Sequence, residues 1–416
     1  MTTIKMPRSG RWLLLMLALA MLALATPAHA WDDGDEADEE EEDDDDGFDF
    51  LSATLDAPAA DTFVEVSCSS DDPSCAFGED AVVKSAAERG LITTKPSVAA
   101  ILREHGRAAP PDSGSAFGGE VFGYVTPWNA RGYDFARTFR TKLDFVSPVW
   151  LQVREDADRQ PIITGTHDID AQWASDVRGS DGRGPAIVPR VMYERNSLSE
   201  SDVQVIIDSL LALADEHSFE GFVFEVIWAV SLVGDVIDLF DAIPIVPGTM
   251  DLLTRVGDAL QGAGKLLILV LQRASNEGAL AISDELFREL APRVHRFTMN
   301  AYDFQTPGPN APLPWVQSAL DHMDDEQRAK ILMGLPFYGY DNRDAITGDS
   351  YIAGLRDNNV AKIRWDAKAH ECRHEFTRAS DKSRHVVYFP CLQFLYDRLE
   401  LFNTSQVLAF ESEFLL

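Results

Sequence analysis

From residue 120 onward the chain alternates short, nearly continuous apolar runs with longer amphipathic stretches. The runs fall at 121–125, 145–152, 186–192, 221–226, 266–271, 297–303, 331–337 and 407–411. Runs of this length, apolar at successive positions, fit strands buried on both faces, and the stretches between them fit covering helices. The pattern predicts an α/β fold, a (β/α)8 TIM barrel over residues 120–416. In such a barrel, function gathers at the carboxyl ends of the strands. The residues expected there are Trp128, Glu194, Glu225, Tyr302, Asp303 and Glu411.

Between Phe337 and Val407 the chain is longer than one helix requires. Stretches 362–365, 375–378 and 385–389 read as short strands, so a small α+β insertion is expected after strand 7. On the barrel's functional face it would deepen a groove; an excursion unrelated to any ligand is the alternative. Upstream, residues 80–105 look partly helical, with Lys95-Pro96 as a break, and 108–119 read as a Gly-, Pro- and Ser-containing linker. The expected organisation is thus an N-terminal extension and linker over 51–119, followed by one large domain from 120.

Charge and targeting features change the picture at the N-terminus. Lys5, Arg8 and Arg11, an apolar run over 12–25 and Ala28-His29-Ala30 fit a secretory signal peptide over residues 1–30. An uncleaved anchor is the alternative, although the run is shorter than the roughly 20 residues a membrane helix needs. No transmembrane segment is expected after cleavage. Residues 32–50 hold fourteen carboxylates and no base, which predicts a disordered acidic tail over 31–50. It reads as a solvating spacer, with weak calcium buffering as the alternative. Of the formal charge of −32, −21 remains on residues 51–416, which argues against nucleic acid as a partner.

The cysteines are Cys68, Cys75, Cys372 and Cys391. An even number behind a signal peptide suggests disulfides; three pairings exist, and proximity favours Cys68 with Cys75 and Cys372 with Cys391. No zinc-knuckle spacing occurs, and no metal or cofactor is expected. Asn403-Thr404-Ser405 is a glycosylation sequon beside the last expected strand.

The sharpest motif is Glu220-Gly221-Phe222-Val223-Phe224-Glu225-Val226-Ile227. It resembles D-G-x-D-x-D-x-E, the active-site strand of the chitinases of glycoside hydrolase family 18. Further strings resemble chitinase-like members of that family: Gly123-Tyr124-Val125-Thr126-Pro127-Trp128-Asn129, Ser147-Pro148-Val149-Trp150-Leu151-Gln152, Pro307-Gly308-Pro309-Asn310-Ala311-Pro312-Leu313 and Arg384-His385-Val386-Val387-Tyr388-Phe389-Pro390. The similarity extends from about Ala87 to near the C-terminus. It implies a saccharide-binding barrel in a secreted, endomembrane-lumenal or lysosomal setting, an amino-sugar oligosaccharide as partner and, from animal members, a scavenger-type receptor.

In active members, as the resemblance implies, the substrate's acetamido oxygen attacks the anomeric carbon. A Glu protonates the leaving oxygen, and a neighbouring Asp orients the acetamido group, outside the usual two-carboxylate scheme. Alternate strand residues share a face, so positions 223, 225 and 227 should point together. Active enzymes place Asp, Asp and Glu there; this chain has Val223, Glu225 and Ile227, with Glu220 at the first Asp. Catalytic residues are therefore expected to be absent. Glu225 would lie two residues deeper than the acid, about 6.6 Å at ~3.3 Å per residue, as a hydrogen-bonding partner for sugar or for Tyr302.

Tyr302 and Asp303 match the family's M-x-Y-D, with Asn300 in place of Met. Phe410 stands where the last strand commonly carries a Trp, and Trp128, Trp150 and Trp228 are further candidates for a sugar platform. Three readings follow. The first is a lectin-like barrel that binds without cleaving; the second is a glycosidase using a relocated Glu194, Glu225 or Asp303; the third is a receptor-associated protein with a vestigial cleft.

Overall fold

The computed structural model describes residues 85–107, 117–127, 129–193, 199–226, 248–271, 283–358, 360–405, 407 and 409–413. Ahead of the barrel stands α1 (Val98–Glu104), capped by the Ser97 side chain directly after the Lys95-Pro96 break. The first barrel strand is β1 (Glu120–Val125), followed by α2 (Ala130–Thr138). The second is divided into β2 (Phe145–Pro148) and β3 (Leu151–Glu155), and β4 (Pro161–Thr164) returns antiparallel to β3. After α3 (Ala171–Arg178), the third strand is divided into β5 (Ala186–Ile187) and β6 (Arg190–Tyr193). Pro189 lies at that break, and without an N–H it gives no ladder hydrogen bond.

Helix α4 (Glu200–Glu216) leads into β7 (Gly221–Val226), and α5 (Thr249–Gly262) into β8 (Leu266–Leu271). Then come α6 (Asp284–Leu290), β9 (Arg296–Met299), α7 (Leu313–Asp321), α8 (Asp325–Lys330) and β10 (Ile331–Pro336). Helix α4 begins in a capping box between Ser199 and Asp202, and Val203, Ile206, Ile207, Leu210 and Ala214 form its buried stripe at helical spacing.

The insertion follows β10. It comprises β11 (Gly339–Asp341), β12 (Asp344–Ile346), α9 (Gly348–Asp357), β13 (Arg364–Asp366), β14 (Glu371–Thr377) and β15 (Arg384–Tyr388). Its antiparallel sheet runs β12-β11-β15-β14-β13. Sequence patterning anticipated the last three strands; the other two, only three residues each, carry too little pattern to read. Helix α10 (Leu392–Thr404) then returns the chain to β16 (Ala409–Glu413), the eighth barrel strand.

Parallel pairing runs β6-β7-β8-β9-β10-β16-β1-β2, and closure comes from β2 with β5 and β3 with β6. The fold is a (β/α)8 barrel with a small α+β insertion after strand 7. Two apolar layers result. Phe122, Tyr124, Phe145, Val149, Val188, Val223, Ile268, Val270 and Leu332 fill the barrel, while Phe222, Phe224, Phe297 and Met333 pack outward under the helices. Both layers need apolar residues, which is why the runs are continuous and not alternating.

A third core holds the insertion together: Tyr351, Leu355, Val360, Ile363, Cys372, Val387 and Phe389, with Val98, Ile101 and Leu102 of α1 packed against it. The Cys372–Cys391 disulfide ties β14 to the residue that begins α10, with Cα atoms 6.0 Å apart. Cys68 and Cys75 lie outside the described residues, as do the stretches expected to be a signal peptide and an acidic tail. Among the described residues no helix is long and apolar enough to cross a membrane. Asn403 is exposed near the end of α10.

Candidate functional site

Strand β7 carries the motif across the barrel wall. Glu220 lies just before its first residue, at the end away from the carboxyl-terminal mouth. There it accepts the Ile187 N–H at 2.7 Å and pairs with Arg178 at 3.1 Å. It therefore joins strand three and α3 to strand four. Val223 belongs to the interior cluster. Glu225, one alternation nearer the mouth, is 8 % exposed.

The partner of Glu225 is Arg190 on β6, which donates from Nε at 2.7 Å and is also ion-paired through Nη2. Arg190 stands in register with Val223, and its guanidinium carbon lies 5.3 Å from the centre of the Tyr124 ring. The expected link to Tyr302 is thus replaced by a buried ion pair with a cation–π contact. Neither Arg190 nor Tyr124 stood out in the sequence as a site residue. Their signal was weak: an inward-phase Arg in an apolar run requires a counter-charge, and Glu225 was the inward carboxylate nearby. Ser147 and Thr298 also face the interior, in register with Tyr124 and Val270, and their hydroxyls have no hydrogen-bond partner among the described residues.

A second cluster surrounds Asp303. The strand expected over 297–303 ends at Met299, so Tyr302 and Asp303 stand on the following loop, Asp303 at φ 59°. Asp303 accepts the hydroxyls of Tyr338 at 2.5 Å and Tyr340 at 2.6 Å, both at the start of the insertion. Its N–H donates to Asn310 Oδ1 at 2.8 Å. Tyr302 is buried, with its ring edge-on to Tyr338 at 6.1 Å. The insertion therefore completes the rim beside the sixth strand.

Asn310 anchors this loop from below. Its side chain donates to the Tyr338 carbonyl at 3.1 Å, and its own N–H and that of Ala311 donate to the Glu371 carboxyl at 3.0 and 2.7 Å. Burial pushes the Glu371 carboxyl up to about 7, opposed by Arg398 and the two N–H donors. Fully buried Arg398, on α10, donates to the Ala311, His370 and Phe394 carbonyls. A polar network thus fixes the loop against both the insertion and the last helix.

Trp150 is corrected from sugar contact to core residue. It has no exposed surface, donates its indole N–H to the Tyr133 hydroxyl at 2.9 Å and meets Trp173 edge-on at 5.7 Å. Alternation along the second strand puts Ser147 and Val149 inside the barrel and Trp150 outside, between barrel and helices. Phe410 shares register with Val121 and Met333; its side chain, like Trp128, Glu194, Ile227 and Trp228, lies outside the described residues. Ile227 has a hydrocarbon side chain, which has no proton to give.

No protein-family model matches the chain. Among solved structures it is similar to a chitinase from Chromobacterium violaceum, at 18% identity and a TM-score of 0.56, covering 71% of this chain and 93% of that one. It is similar to the spore cortex-lytic enzyme SleL of Bacillus megaterium, at 15% identity and a TM-score of 0.56, covering 71% and 70%. A third similar structure is the glycoside hydrolase family 18 chitinase of Cycas revoluta in complex with (GlcNAc)3, at 11% identity and a TM-score of 0.53, covering 70% and 94%. The fold of this chain is the barrel that these three proteins share.

Proposed function

We propose that the chain is a chitinase-like carbohydrate-binding protein that holds N-acetylglucosamine-type oligosaccharides at the barrel mouth without efficient hydrolysis. One observation carries the reading: the inward carboxylate of the motif strand, Glu225, is engaged by Arg190, while the position of the proton donor is Ile227. Losing a positioned general acid costs roughly a hundred- to ten-thousand-fold in rate. Asp303 with Tyr338 and Tyr340 keeps an acceptor and aromatic edges at the rim, which suits recognition of sugar hydroxyl and amide groups.

Its sequence strings closely resemble those of the stabilin-interacting chitinase-like protein, also called chitinase domain-containing protein 1. On that ground we extend the proposal to a secreted or endomembrane-lumenal location, lysosome included, and to a scavenger-type receptor as partner.

The test is calorimetric titration of the purified chain with chitotetraose at low ionic strength, with product analysis of the same sample after long incubation. Heat of binding with intact tetramer is expected. Cleaved product that disappears in Glu225→Gln would overturn the proposal and restore an enzyme.

A further inference from the structure

The loop that brings Asp303 to the barrel rim is held from below by one carboxylate. Glu371, the first residue of β14, is 2 % exposed and gives one oxygen to each of two consecutive backbone N–H groups. Its Oε2 accepts from Asn310 at 3.0 Å and its Oε1 from Ala311 at 2.7 Å. Asn310, itself buried, passes that position on: its Oδ1 accepts the Asp303 N–H and its carbonyl the Phe304 N–H, both at 2.8 Å. Asp303 stands at φ 59°, a conformation uncommon outside glycine that the surroundings must hold. Glu371 is thus linked to the acceptor beneath Tyr338 and Tyr340 through a single residue.

That hold depends on charge. Hydrogen bonds to an ionised acceptor are roughly twice as strong as those between neutral groups, and a protonated carboxyl offers two donors only one carbonyl oxygen. Loss of the charge therefore leaves the Asn310 or the Ala311 N–H with a weaker acceptor, while Arg398 keeps its bonds to the Ala311 and His370 carbonyls. The groups facing Glu371 come from three elements. Arg398 of α10 places Nη2 3.8 Å from Oε1, and Asp366 of β13 stands in register with Glu371. Tyr388 of β15 lies with its hydroxyl 3.5 Å from Asp366, and the adjoining His370 is paired with Asp397 of α10 at 2.6 Å. Burial, joined by Asp366, raises the Glu371 carboxyl to about 7 against Arg398 and the two N–H donors, so its charge changes between neutral and mildly acidic solution.

We propose that Glu371 is a positioning residue for the barrel mouth: its ionised carboxylate holds the 303–311 loop, and Asp303 with it, in the arrangement that binds oligosaccharide, and its protonation weakens that binding. The inference rests on the reading of the chain as a binder of N-acetylglucosamine-type oligosaccharides. Glu371 touches no sugar in this account; it acts through Asn310 on Asp303. Because binding then favours the ionised form, binding in mildly acidic solution releases a proton, as linkage requires.

The test is calorimetric titration of the full chain with chitotetraose from about pH 8 to about pH 5.5, above the ordinary carboxylate range near 4. For one group of pKa about 7 that must be ionised to bind, the limit over this range is roughly thirtyfold. The affinity is expected to fall about tenfold, and buffers of different ionisation enthalpy should show proton release near pH 6. Glu371→Gln keeps one acceptor oxygen and cannot ionise, so it should bind at pH 8 as weakly as the wild type does at pH 5.5, with a flat profile. His370→Gln should keep the wild-type slope. A wild-type affinity independent of pH overturns the proposal, as does a slope that survives Glu371→Gln or one that His370→Gln removes. Hydrogen exchange of the sugar-free wild type is a reading that needs neither a variant nor a ligand. After correction for intrinsic rates, the Asn310 and Ala311 amides should exchange faster at pH 5.5 than at pH 8, and equal protection overturns the role of Glu371. Absence of heat at every pH would instead sink the sugar-binding reading itself, and exchange would then decide the hold on the loop.

Discussion

Glu225 keeps its carboxylate but is held by Arg190 one strand away, with side chains 10% and 14% exposed. Removing one member of a buried pair strands the other charge, so Arg190→Met is expected to cost about 3–5 kcal/mol in urea unfolding. Arg190→Met with Glu225→Met should recover much of that loss; an equal loss in the double variant would mean that Arg190 contributes through packing alone. The proposed reading, in which Ile227 stands at the place of the acid, predicts a gain as well. Ile227→Glu should raise chitotetraose hydrolysis about a hundredfold over the wild-type background. An unchanged rate would show that the substitutions at 223 and 225 disable the site by themselves.

The closest approach along β7 is at Gly221, where a Cβ would lie 2.1 Å from the Leu266 carbonyl oxygen of β8. Backbone in a paired strand cannot yield as a flexible side chain can. Gly221→Ala is therefore expected to destabilise by about 3 kcal/mol or more, read from the urea midpoint; a loss below ~1 kcal/mol would show that the strand pair relaxes freely. In the insertion, the Cys372–Cys391 bridge spans 19 residues. A loop of similar length gives about 3 kcal/mol in the chain-entropy account, so the Cys372→Ala, Cys391→Ala variant should lose roughly that. Hydrogen exchange should quicken first in β14 and β15, and uniform quickening across the barrel would contradict a local role for the bridge.

Across the whole molecule, buried titrating groups set opposing pH slopes. Burial lowers His374 from 6.5 to about 4. The unfolded chain binds that proton first, so the contribution is lost as pH falls from 6.5 to 4, by on the order of 3 kcal/mol at most. Burial raises Glu371 from 4.5 to about 7, so the native chain holds that proton longer and stability falls as pH rises through this window. Against the burial that raises it, His295 and Arg296 hold Glu120 at about 2, and its contribution is lost as pH falls below 4.5. The melting temperature is expected to vary little between pH 4.5 and 6.5 and to drop below. In His374→Phe the Glu371 slope is no longer opposed by His374, leaving only the burial-lowered His105 against it among the shifted histidines, and stability should rise more than in wild type as pH falls from 7 to 4.5; a profile as flat as wild type would remove His374 from this balance.

The apolar runs alone determined the barrel, because a strand covered by helices on one side and filled on the other must be apolar at nearly every position, a property that is local in sequence. The same holds for the main strands of the insertion and for Ile227, whose lack of a proton is a matter of composition. Tertiary structure decided who meets whom. Arg190 reaches Glu225 across 35 residues, Tyr338 and Tyr340 reach Asp303 from the insertion, and Trp150 turns outward because of its phase along a strand. Such pairings depend on register and barrel closure, which are set by contacts distant in sequence, so side chains of identical local pattern become core, ion pair or cleft only once the staves are aligned.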